Sequence, residues 1–166
     1  MCSVSGHTAY LNAWVFTAIG GTKPEHGERL SLPEVVEGAD YFNRAVISKE
    51  ELEHGIRDLL NAGLITVSSD SFALTETGRE MWETVWRNYE ARQGGSHPIA
   101  IAEKRLKRIP CGAHGASWSV TQEEFDQAFT VYKAHFLETL RRLDPKAVAR
   151  IEQSEEWQWH PRKPAE

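Results

Sequence analysis

The sequence predicts an α+β fold, mostly α, with a C-terminal helical extension, and three observations carry that prediction. Apolar side chains return at intervals of three and four along several stretches, as on one buried face of a helix. Ser48 with Glu51, and Thr121 with Glu124, have the spacing of a capping box, in which each side chain accepts from the other residue's free backbone N–H at a helix start. Between them "LITV" and "SFAL", residues 64–67 and 71–74, flank a polar tip of Ser68, Ser69 and Asp70 and read as a two-stranded hairpin.

In chain order, residues 8–19, "TAYLNAWVFTAI", place Tyr10, Leu11, Trp14, Val15, Ala18 and Ile19 along one stripe and predict a first helix. "GGTKPEHGERL" breaks it with three glycines and a proline. In "LSLPEVVEGADYF", Ser31 caps a short second helix, Pro33 suits its first turn, and glutamates sit near the positive end of the peptide dipoles. "RAVI", residues 44–47, is too short for a helix and rich in branched residues, so it reads as a brief strand. The third helix follows Ser48, with Leu52, Ile56, Leu59 and Leu60 on its apolar face and Gly63 placed to stop it. Thr75 caps a fourth helix, residues 76 to about 92, whose Met81, Trp82, Val85, Trp86 and Tyr89 share one side; Trp82 and Trp86 are expected in the core.

The seam "RQGGSHP" divides the chain into a first unit at 8–92, a linker at 93–98, a helical extension at 99–153 and a polar tail at 154–166. "PIAIA" fits a helix or a strand by period. After Thr121, Phe125, Phe129, Tyr132, Phe136, Leu140 and Leu143 recur at intervals of four and three along a helix running to about Leu143. That stripe either packs back on the first and fourth helices or meets its counterpart in a homodimer, with Phe125, Phe129, Tyr132, Phe136 and Leu140 as the interface. Asp144 and Pro145 start one more short helix, and Trp157 and Trp159 give the tail something to dock with.

Composition narrows the function classes. The chain of 166 residues, 40% apolar and 26% charged with sixteen aromatics, is that of an ordinary globule. The longest apolar run, Ala13 to Ile19, is far short of the ~20 residues a membrane span needs. The N-terminus lacks the pattern of a secretory signal, and only Cys2 and Cys111 are present, so a cytoplasmic location is expected. Formal charge is -5, and residues 1–93 carry it: fourteen acidic side chains against eight basic ones.

Helix, helix, brief strand, helix, hairpin, helix is the order of a winged helix-turn-helix, and "SKEELEHGIRDLLNAGLI" followed by "FALTETG" resembles that superfamily. The stretch is similar to bacterial regulators of the multiple-antibiotic-resistance and phenolic-acid-repressor types, over roughly residues 8–92. The resemblance implies a DNA-binding transcription regulator whose third helix enters the major groove while the hairpin, as the wing, touches the backbone. On that basis Lys49, His54, Arg57 and Asn61 face the bases, Ser69 sits on the wing, and Lys104, Arg105, Lys107 and Arg108 supply positive charge.

Charge argues the other way. From Ser48 to Glu80, three cations stand against seven carboxylates, and phosphates would meet repulsion. Arg57 either reads a base or pairs with Glu53 one turn earlier, and "EKRLKR" either serves DNA or is a solvated helix face. The alternative function is a winged-helix adaptor that binds a protein partner, a basic one for example, through its acidic third helix and exposed tryptophans.

No enzyme, cofactor or metal is expected. Cys111 and His114, with His97 not far away, fall short of a four-ligand zinc site, and no orienting third group marks Cys111 as a nucleophile. Gly20, Gly21 and Gly27 are expected in a loop between helices rather than in a phosphate-binding turn.

Overall fold

A computed structural model describes residues 6–22, 29–69, 71–92, 95–109 and 115–153. Among them run α1 (Gly6–Thr22), β1 (Leu30–Ser31), α2 (Leu32–Asn43), α3 (Lys49–Asn61), β2 (Ile65–Ser68), β3 (Ser71–Leu74), α4 (Glu76–Ala91), α5 (Pro98–Leu106), α6 (Gln122–Leu143) and α7 (Pro145–Gln153). The fold is mostly α with one small antiparallel sheet, ordered β1-β3-β2. Leu30 lies opposite Phe72, and Ile65 opposite Leu74. No described helix is long and apolar enough to cross a membrane.

Caps set most boundaries. Ser48 Oγ accepts from Glu51 N–H at 3.2 Å while Glu51 Oε2 accepts from Ser48 N–H at 2.9 Å, and Thr121 with Glu124 repeats the exchange at 3.2 and 2.8 Å. Thr75 Oγ1 accepts from Gly78 N–H at 3.0 Å to open α4. "PIAIA" resolves as helix, with Pro98 in the first turn of α5.

Two backbone expectations fail. Residues 44–47 are not a strand: Arg44 takes a left-handed conformation, φ 50°, and its N–H closes α2 onto Asp40 O at 2.6 Å, which turns the chain toward α3. The third strand is instead the two-residue β1, before α2. Gly20 and Gly21 belong to the last turn of α1, where side chains of any size would collide with the rings of Trp82 and Phe42.

One cluster of buried side chains runs through the described residues. Val15 and Phe16 of α1 are fully buried and join Ile56 of α3, Phe72 of β3 and Val85 of α4, while Ile99, Phe125 and Tyr132 belong to the same cluster. Each such side chain contributes about 1.5–3 kcal/mol by leaving water. The seam at 92–98 therefore does not separate two cores: α5 lies on α1 and α4, and α6 lies on α2. Trp82 is core as expected, but Trp86 is 39% exposed, tilted against Trp82 and Tyr89 on the outer side of α4.

Candidate functional site: the outer face of α3 and the hairpin

The chain orients α3 and the hairpin as one unit. Ala62 ends α3, and Gly63 then takes φ +67°, a conformation that costs a side chain dearly but glycine little. Thr75 ties the hairpin back across that turn: its N–H donates to Leu64 O at 3.0 Å and its hydroxyl to Gly63 O at 2.7 Å. Gly78 brings α4 against the Leu64 carbonyl. From α1, Asn12 Nδ2 donates to Asp58 Oδ2 at 2.9 Å and fixes the rotation of α3.

The polar side chains of α3 already have partners within the chain. Lys49 Nζ sits 3.0 Å from Glu53 Oε1, and both side chains are mostly covered. His54 Nε2 lies 3.5 Å from Asp58 Oδ2. Arg57 is exposed and its Nε donates to the backbone carbonyl of Glu53 at 3.2 Å, so it neither pairs with that carboxylate by hydrogen bond nor stands wholly unattached. Glu50 is exposed at the start of the helix.

Two outward residues, Glu53 and Asn61, hold a strap. Asn61 Oδ1 accepts from Ala116 N–H at 2.9 Å, and Glu53 Oε1 accepts from Val120 N–H at 3.0 Å. The geometry is self-consistent: eight helical residues rise about 12 Å, and four extended residues reach about 13 Å. Residues 116–120 therefore run antiparallel to α3 along its outer face. Between the two anchors Trp118 turns to the sheet and sets its ring edge-on to Phe72, centroids 5.5 Å apart at 80°. The strap thus touches both α3 and the sheet.

Glu53 carries the strap's electrostatics. Burial pushes its carboxyl up, but the Val120 N–H, the Lys49 hydrogen bond and the charges of Lys49 and Arg57 together outweigh burial and hold it below the usual glutamate range. A carboxyl lowered on folding adds stability that is complete above the unfolded pKa and is lost as pH falls through the folded one. The strap should thus loosen in acid, with the indole signal of Trp118 changing below the ordinary glutamate range. Glu53→Gln should abolish that transition, and an unchanged transition in the variant would assign it to another group.

The structure scatters the other expected contacts. Ser69 is exposed at the hairpin tip with φ 47°. Lys104, Arg105, Lys107 and Arg108 lie at the end of α5, which packs on α1 and α4; Lys107 is paired with Glu103 at 2.7 Å. Of the dimer stripe, Phe125 and Tyr132 are buried in the chain's own core, 0% and 2% exposed, and so are not open to a second chain. Phe129 and Phe136 pack against that core, and Leu140 is half-buried. Tyr132 Oη donates to Asp40 Oδ2 at 2.6 Å, and burial, then that contact, raise its pKa. His135 Nδ1 meets Glu37 Oε2 at 3.1 Å, which also binds α6 to α2.

No family model, curated protein or solved structure matches this chain.

Two features escaped the sequence reading. Arg29 clamps the hairpin from outside, its Nε donating to Ser71 Oγ at 2.6 Å and its Nη2 to Ser71 O at 3.0 Å, and so puts an exposed cation on an element that has none nearby in sequence. The strap is the other. His97 caps α5 through Nδ1, 3.4 Å from Ile99 N, while Cys111, His114, Asp70, Trp157 and Trp159 lie outside the described residues.

Proposed function

We propose that this chain is a winged-helix protein that docks a protein partner and does not read DNA through its third helix. The order α1, β1, α2, α3, β2, β3 with sheet order β1-β3-β2 supports the winged-helix assignment, with β2 and β3 as the wing. The single observation that carries the choice of partner is the strap. A duplex seated on α3 would have to displace residues 116–120 from Glu53, Asn61 and Phe72. It would then meet Glu50, Glu53 and Asp58 beside Lys49 and Arg57, a face with no excess of cations to release counterions from phosphate. The exposed Glu50 and the part-exposed Asp58 suit a basic segment of another protein rather than phosphate.

A DNA-binding regulator is the second reading, favoured by the exposed guanidinium groups of Arg57 on α3 and Arg29 on the wing. Fluorescence anisotropy on mixed-sequence duplex DNA, titrated from about 20 to 200 mM salt, separates the two. The adaptor reading expects no saturable binding even at the lowest salt. Binding that weakens steeply as salt rises overturns it; Arg57→Ala should then relax sequence preference while Lys107→Ala weakens all sequences alike.

A further inference from the structure

The strap also builds one wall of a cleft. It lies between the start of α2, β3, the strap and the first half of α6, holds about 430 Å³, and so falls in the size range of small-molecule sites. Leu32, Phe72, Trp118, Ala128 and Val131 make the lining largely apolar. The charged residues of its lining are of one sign. Glu123, Glu124 and Gln127 line it, and among the described residues no lysine or arginine does.

Two opposing fields meet at that edge, and their sizes decide the sign. The N-terminus of α6 contributes roughly half a positive charge, which alone would favour an anion. Glu123 and Glu124 place two full carboxylates in the same turn. Glu124 Oε2 is committed to the cap, accepting from Thr121 N–H at 2.8 Å and from its hydroxyl at 2.7 Å, which keeps it ionised and pointed at the helix end. Glu123 is exposed at the edge of the same cleft. The net field is negative, and the half-buried Trp118 ring beside it offers an aromatic surface that suits an aromatic or alkyl group and tolerates an adjacent cation.

We propose that this cleft is a binding site for a small organic ammonium ion, its apolar part lying against Trp118, Leu32 and Val131 and its charge at Glu123. These observations hold whatever α3 binds. Because Trp118, Ser119 and Val120 belong both to the lining and to the strap, an occupant also touches the segment that covers α3.

The test uses three probes of nearly equal shape: 2-phenylethylammonium, 2-phenylethanol and 3-phenylpropionate, titrated into the full chain and followed by the Trp118 indole N–H and backbone amides in nitrogen-15 spectra. Trp118→Phe assigns the indole signal. The proposal expects the ammonium to shift Trp118 and Val131, the alcohol to bind about five- to tenfold more weakly, and the carboxylate more weakly still. Glu123→Gln should bring the ammonium down to the affinity of the alcohol. Val131→Arg, at a position 45% exposed and thus tolerant of size, should abolish binding with the spectrum otherwise folded. Equal binding of all three probes overturns the charge selection. No shift at Trp118 with any probe, or a Trp118 signal that moves with protein concentration alone, overturns the site, the latter because a second copy of the chain would be the occupant.

Discussion

Gly78→Ala is expected to destabilise the protein by about 3 kcal/mol. In an open helix the same change would add stability, up to about 1 kcal/mol, because alanine is the better helix former. Here the sign reverses. A methyl group at Gly78 overlaps the carbonyl oxygen of Leu64, a backbone atom that cannot rotate aside. That oxygen also accepts the N–H of Thr75 at 3.0 Å, so α4 can retreat only by breaking the tie between the turn after α3 and the start of α4. Denaturant unfolding of the alanine variant checks it. A gain in stability would mean that α4 does not lie against the hairpin.

Phe72→Ala should cost about 3–5 kcal/mol, the usual range for emptying a buried phenylalanine site. Phe72 is 1% exposed in the central strand, opposite Leu30 of β1 and Val67 of β2, and it receives the edge-on ring of Trp118. Its loss therefore acts twice, once on the core and once on the strap. Trp118→Ala, at a half-buried ring, removes only the second part and should cost markedly less. Similar losses in the two variants, measured by denaturant unfolding, would place most of the energy of Phe72 in the strap and little in the core.

Much of the fold was legible because its signals are local. Ser48 with Glu51, Thr75, Thr121 with Glu124, and Gly63 each fix a boundary through contacts within three or four residues. What was not legible depends on distant partners. β1 has two residues and becomes a strand only because Leu30 meets Phe72. Residues 44–47 carry branched side chains, yet Ile47 is buried by tertiary packing and Arg44 turns the chain. Trp86 follows the helical stripe of α4 but falls past the edge of the core.

The candidate site illustrates the same limit. Glu53 and Asn61 are polar residues on the outer side of an amphipathic helix, and local periodicity marks them as solvent-facing. Their partners, Val120 and Ala116, come from 67 and 55 residues away, and nothing in "ASWSV" announces where it will lie. Arg29 reaches the hairpin across 42 residues. The charge count, by contrast, survives folding, since pairing Lys49 with Glu53 only lowers the number of cations left for a phosphate backbone.

Residues 116–120 lie on α3 through Asn61 and Glu53, and amide hydrogen exchange at Ala116 and Val120 reads that placement. Both N–H groups should exchange on the order of ten- to a hundredfold more slowly than in an unstructured peptide, with Glu53→Gln releasing Val120 more than Ala116. Unprotected exchange at both positions, in a chain whose Leu52 and Ile56 amides stay protected, would contradict it and return the outer face of α3 to solvent.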